Sequence, residues 1–209
     1  MENESLDTSK EETKEVQQPA APEESGKQED WKSPVKSLVN DLLDIAESVI
    51  VSVFVVVLVF AFILRPVTVD GSSMNPTLYD KDRVLMVELF YHPQRGDVVI
   101  VDSYTAYGKP LVKRVIAKGG DVVNIDYQAG TVSVNGEVLQ EAYIAEPTYL
   151  GYDVTFPYTV PEGTVFVMGD NRNASLDSRS SYVGCIDERD ILGKVLLCFL
   201  PFSDFGVVK

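Results

Sequence analysis

A chain of 209 residues has room for one domain of ordinary size, plus a tail and an anchor. Its formal net charge of −14 argues against a nucleic-acid partner, whose phosphates call for a basic face. The single histidine, His92, lies in the turn-like Tyr91-His92-Pro93-Gln94-Arg95-Gly96 with no acid beside it, so a Ser-His-Asp triad has little support.

In chain order, the first 31 residues hold ten acids against Lys10, Lys14 and Lys27, which is half of the net charge. With few apolar residues and a Gln17-Gln18-Pro19-Ala20-Ala21-Pro22 run, this segment cannot bury enough surface to offset its ordering entropy. Residues 1–33 are predicted to be a disordered acidic tail. Ser33-Pro34 then reads as a helix N-cap followed by proline at the first helical position. Val35, Leu38, Val39, Leu42, Leu43 and Ala46 recur at helical spacing as an amphipathic lead-in.

Residues 49–64 are apolar apart from Ser52. Sixteen helical residues span only ~24 Å, short of the ~30 Å hydrocarbon core, and adding Ile45 and Ala46 with Glu47 and Arg65 at the interfaces closes most of the gap. A buried core helix would show a polar face, and a cleaved signal would show a small-residue cut site where Arg65-Pro66-Val67 stands. A retained single-span anchor over 34–65 fits better, ending at Arg65 because the residue before proline avoids the helical region. Flanking charges do not set its orientation, since Lys32 and Lys36 on one side face Arg65, Lys81 and Arg83 on the other.

Beyond the anchor, β-branched runs at 84–89, 98–101, 111–116, 122–125, 131–139, 164–168 and 195–200 are predicted strands. Asn135-Gly136 marks a hairpin turn, and 157–163 reads as a loop. With no βαβ rhythm, 66–209 is predicted to be a mainly β domain of antiparallel sheets and hairpins. Cys185 and Cys198 fit no zinc or redox spacing and read as small buried side chains, a disulfide staying open if the domain lies outside the cell.

Three segments carry candidate chemistry. Gly71-Ser72-Ser73-Met74-Asn75-Pro76-Thr77-Leu78 follows the alternating Val67 and Val69, and a serine on such a turn presents its hydroxyl and its N–H. Alone it is common loop chemistry. Lys113 sits in Leu111-Val112-Lys113-Arg114-Val115-Ile116, where alternation puts Leu111, Lys113 and Val115 on one face. Apolar burial, with no acid near enough to oppose it, would lower its pKa toward that of a useful base, whereas on a solvated face it would be an ordinary lysine. Gly169-Asp170-Asn171-Arg172-Asn173-Ala174-Ser175-Leu176-Asp177-Ser178-Arg179 is a polar loop after an apolar strand, able to fold on itself in support of a site.

The order and wording of these segments resemble the type I signal peptidase family, in its Gram-positive branch. Ser73-Met74-x-Pro76-Thr77-Leu78 resembles that family's nucleophile box, Arg95-Gly96-Asp97-Val98-Val99 its strand entry, and Lys113-Arg114-Val115 with Gly119-Gly120-Asp121 its lysine box. Gly169-Asp170-Asn171-Arg172 with Ser175, Asp177, Ser178 and Arg179 resembles its last box. The resemblance runs from the anchor to about Gly193. It implies that Ser73 is the nucleophile, Lys113 its general base, Ser175 the serine that hydrogen-bonds the lysine, and Asp177 with Arg179 a supporting ion pair. Where some members carry an oxyanion serine, this chain has Gly71, so the oxyanion would rest mainly on backbone donors such as the Ser73 N–H. The large β insertion of bigger members has little room in 121–168.

The implied activity is removal of signal peptides from exported preproteins after small residues, at Ala-x-Ala sites, with Val67, Val69 and Val112 as candidate pocket walls. No metal or cofactor is implied. The domain would face outward from the cell membrane, with the tail cytoplasmic. Self-cleaving repressors with a Ser–Lys pair are soluble, which the anchor opposes. A tethered, non-catalytic helper of pilus or surface-protein assembly would not need both Ser73 and Lys113.

Overall fold

The computed structural model describes residues 34–102 and 108–209. The tail 1–33, with its Ser33 cap, lies outside the described residues, as does the side chain of Val35. Two compact units divide the chain, Met1–Glu47 and Ser48–Lys209, and each is described by itself. In the first, the described part, 34–47, is helical.

Helix α1 is Pro34–Phe62, and its stretch Lys36–Ala61, whose most apolar 18 residues have a mean hydropathy of 2.5, is long and apolar enough to cross a membrane. The hydroxyl of Ser52 donates to Ser48 O at 2.7 Å, so the lone polar side chain of the apolar run is satisfied within its own helix. The helix stops three residues before the predicted Arg65, because β1, Leu64–Thr68, already runs through Arg65-Pro66. Proline has no N–H to give a ladder, and β1 can hold Pro66 because it is an edge strand, paired only with β2, Arg83–Val87.

Next come β3 (Val98–Val101), β4 (Leu111–Lys118), β5 (Val122–Asp126), β6 (Thr131–Val134), β7 (Glu137–Val138), β8 (Tyr158–Thr159) and β9 (Thr164–Met168). After them, β10 (Ile186–Asp187), β11 (Ile191–Leu200) and β12 (Gly206–Val207) complete the chain. All pairings are antiparallel. The larger sheet runs β1-β2-β11-β3-β4-β9-β10, with β12 added on β11, and the smaller runs β7-β6-β5-β8. The predicted strands all appear, with ends moved by a few residues, and the β6–β7 turn falls at Asn135-Gly136, both at positive φ. Within the expected 157–163 loop, Tyr158–Thr159 forms β8, whose pairing with Val122 and Val123 is set by a tertiary neighbour rather than by local sequence.

Apolar runs without alternation, Val98-Val99-Ile100-Val101 and Val165-Phe166-Val167-Met168, lie in strands covered on both faces. Val98 and Ile100 join Val69, Met74, Leu78, Val84, Met86, Val195 and Cys198 in one cluster. Val99 and Val101 join Leu111, Val115, Val165, Val167, Val183 and Ile186 on the opposite face. Phe166 and Met168, with Ile116 and Ala117, meet Val123, Ile125, Val132 and Val134 of the smaller sheet. A bulge between Val115 and Ala117 lets the adjacent Ile116 and Ala117 face that same cluster. Cys198 is buried and Cys185 half-buried, and both are free thiols.

Candidate active site

Residues 69–82 form a closed turn on the edge of the larger sheet. The Val69 N–H donates to Asp82 O at 2.8 Å and Lys81 N–H returns to Val69 O at 2.9 Å. Met74 and Leu78 are buried in the cluster under the turn, while Ser73, just before Met74, stays half-buried. Gly71 has φ +95°, which an L side chain rarely adopts, although a Cβ there would meet no atom. Its N–H donates to Asp80 Oδ1 at 2.8 Å. By contrast, the Ser73 N–H has no acceptor among the described residues.

Lys113, on β4, is 2% exposed. Its Nζ donates to Ser73 Oγ at 2.8 Å and to Val112 O at 2.9 Å. Leu111 and Val115, two residues to either side, lie in the core cluster of that face, as alternation predicts. Burial lowers the lysine pKa from 10.5 to about 8. The expectation that no acid opposes this shift is corrected: Asp177 and Asp170 both raise the pKa, and Arg179 lowers it. Burial still dominates, because each carboxylate is already engaged by an arginine.

The 169–179 loop closes behind the lysine. Arg179 grips Asp177 with Nε–Oδ1 at 2.8 Å and Nη2–Oδ2 at 2.9 Å, both side chains fully buried. It also donates to Arg172 O and Leu150 O, each at 2.7 Å, so its charge is satisfied on all sides. Asp177 Oδ2 receives the Gly169 N–H at 3.0 Å. A Cβ on Gly169 would fall on Ser175 Oγ and Ser73 O, so only glycine lets these segments meet.

Ser175 is buried here, but the hydrogen bond to Lys113 that the resemblance implies is not formed. Its Oγ has no partner, while Lys113 Nζ donates to Ser73 Oγ and Val112 O. Val67 and Val112 are half-buried against the cluster that holds Met74. Val69 belongs to that cluster's interior at 2% exposure, which corrects its assignment as a pocket wall: its side chain has no surface to offer. His92 is exposed and away from these groups, its Nδ1 beside Phe90 O.

Sequence reading missed the groups that hold the turn. Asn171 donates its N–H to Ser73 O at 3.0 Å and its side-chain amide to Ser72 O at 3.1 Å. Thr77 Oγ1 donates to Asp170 Oδ2 at 2.5 Å, and Arg114 grips the same carboxylate at 2.8 and 2.6 Å. Their only signal was membership of the family boxes, without roles. Tyr143, stacked 4.0 Å from the Arg114 guanidinium, lay in a stretch with no signal at all. Among the described residues no cluster of His, Cys, Asp or Glu is arranged to hold a metal.

A family profile described as signal peptidase, peptidase S26, matches residues 42–200. Signal peptidase I from Bacillus licheniformis is 35% identical over 79% of this chain and 92% of its own length. Signal peptidase I T from Bacillus subtilis (strain 168) is 35% identical over 83% of this chain and 93% of its own. A crystal structure of a signal peptidase I from Enterococcus faecalis aligns at 31% identity over 50% of this chain and 97% of that one, with a TM-score of 0.42. The class is that of a serine protease. Within it, this chain belongs to the signal peptidase family, peptidase S26.

Proposed function

We propose that this chain is a membrane-tethered endopeptidase that removes signal peptides from exported preproteins, with Ser73 as nucleophile and Lys113 as general base. The observation that carries it is the 2.8 Å bond between a buried lysine amine and a serine hydroxyl on a glycine-bounded turn. The substrate class follows from relatives named signal peptidase I.

Neutral Lys113 takes the Ser73 Oγ proton as Oγ attacks the peptide carbonyl. The oxyanion is met by the Ser73 N–H, because the Gly71 N–H is committed to Asp80. Protonated Lys113 then gives its proton to the leaving amine, and water, deprotonated by the same lysine, resolves the acyl ester. Ser175 has a free hydroxyl oxygen able to accept an Nζ proton, which would turn the lone pair of the neutral amine toward Ser73 Oγ. Asp177 and Arg179 hold the loop that carries Ser175. Half-buried Val67 and Val112 line a shallow subsite that selects small residues, as at Ala-x-Ala cuts.

In this reading 1–33 is a cytoplasmic tail, 34–65 the lead-in and single span, and 66–209 the extracytoplasmic catalytic domain at the cell membrane. The test is cleavage of a preprotein by membranes carrying wild type, Ser73→Ala or Lys113→Ala. Product from wild type alone is expected. Equal product from all three would place the activity elsewhere and leave the chain a helper. Protease added to wall-stripped cells should digest the C-terminal domain and spare a tag at Met1, and the reverse pattern would overturn the topology.

A further inference from the structure

The C-terminal residues reach the groups that hold the nucleophile turn by two separate routes. One is apolar. β12 pairs with β11 through Val207 opposite Leu197, and the Val208 N–H extends the ladder to Leu196 O at 3.0 Å. This lays Val208 against the cluster that contains Val69, Met74 and Leu78, the buried residues of the turn itself. The other route is polar. Lys209 O accepts a hydrogen bond from Arg114 Nη1 at 2.9 Å, beside Gly96 O at 2.6 Å.

Arg114 is 1% exposed and follows Lys113 directly. Its remaining nitrogens hold Asp170, which holds Thr77 of the turn, and Asn171 next to Asp170 holds Ser73 O. A buried guanidinium keeps one orientation only while its donors are met. We propose that residues 206–209 are a positioning clasp for the nucleophile turn, through Val208 packed on the cluster that includes Met74 and Leu78 and through the Lys209 carbonyl on Arg114. The clasp rests on the Ser73–Lys113 reading above. Without it the turn and β4 lose a shared support, and the serine hydroxyl leaves the line of the lysine amine. The Lys209 side chain plays no part, since only its carbonyl is used.

The test uses the full chain in detergent with a preprotein substrate, comparing Lys209→Ala, Val208→Ala, Val208→Ile and deletion of residues 208–209. Lys209→Ala and Val208→Ile are expected to match wild type. The deletion and Val208→Ala are expected to lower kcat by about tenfold or more with KM within about twofold, because misorientation costs rate rather than binding. Assays run well below each variant's melting temperature, with near-UV circular dichroism reporting the folded fraction. A lower melting temperature with full kcat per folded enzyme would mean that the segment only stabilises, and would overturn the clasp. Full activity in both shortened variants would do the same. If the deletion does not fold, Val208→Ala alone decides the question. Ser73→Ala in parallel keeps the two readings apart: activity surviving there defeats the dyad, whatever the C-terminal variants do.

Discussion

Lys113 Nζ lies 2.8 Å from Ser73 Oγ across forty residues of chain, and the lysine that makes this contact is almost wholly withdrawn from water. A buried amine has two uses: as a fixed positive charge or as a base that has lost its proton. Lys113→Arg separates them, because arginine keeps the charge and cannot release a proton at any workable pH. The arginine variant should be as inactive as Lys113→Ala in preprotein cleavage. Wild-type kcat/KM should rise with pH and level off above about 8, with the same limb in His92→Ala. A substantially active arginine variant would end the dyad.

The same burial has a cost in stability that depends on pH. Between about 8 and 10.5 the unfolded chain binds a proton that the native lysine has released, so native stability rises with pH through that window. Below it both states are protonated and the penalty is full. Lys113→Met removes the charge and keeps the length. It should therefore be more stable than wild type at pH 6 by up to about 3 kcal/mol, and the gap should close toward pH 11. Urea melts at the two pH values measure this, and a gap that ignores pH would show that the amine is not held against its charge.

Ser175→Ala should leave stability unchanged or slightly raised, because the buried hydroxyl has no hydrogen bond to lose. Its kcat should nonetheless fall by about tenfold or more if the hydroxyl orients neutral Lys113 during turnover. Steady-state kinetics beside a thermal melt distinguishes the two effects. Unchanged kcat would remove Ser175 from the site.

Asp177→Ala strips the partner from a fully buried Arg179 and the acceptor from the Gly169 N–H. The loss should be about 3–5 kcal/mol of folding stability, as for other buried pairs cut on one side. Denaturant unfolding of the β domain within the full chain reads it. A change under about 1 kcal/mol would mean that water reaches this pair.

Two glycines should respond differently to alanine. At Gly71 the strain is conformational and the space is open, so a cost of about 1–2 kcal/mol with partial activity is expected. At Gly169 the added carbon falls on Ser175 and on Ser73 O, which forces the loop off the Ser73 turn. Gly169→Ala should abolish cleavage, whereas Gly71→Ala should keep a measurable rate. The opposite ranking would contradict this packing.

The sequence by itself determined the features that are local in the chain. The long helix is a run of apolar residues at helical length, and the strands are short β-branched runs cut by turn residues. Four short boxes were enough to place Ser73, Lys113, Asp177 and Arg179 in one family pattern. Only the tertiary structure decided what depends on partners distant in sequence. Pro66 sits in a strand because that strand is an edge, and Tyr158–Thr159 is a strand because Val122 and Val123 lie beside it. Val69 is core rather than pocket because it packs in one buried cluster with Met74, Leu78 and strand residues such as Val84 and Val98. Asn171 and Thr77 hold the serine turn, and Lys209 caps Arg114, through bonds that span up to 99 residues. Such contacts leave no periodicity in the chain, since a hydrogen bond depends on distance and angle in space and not on spacing in sequence.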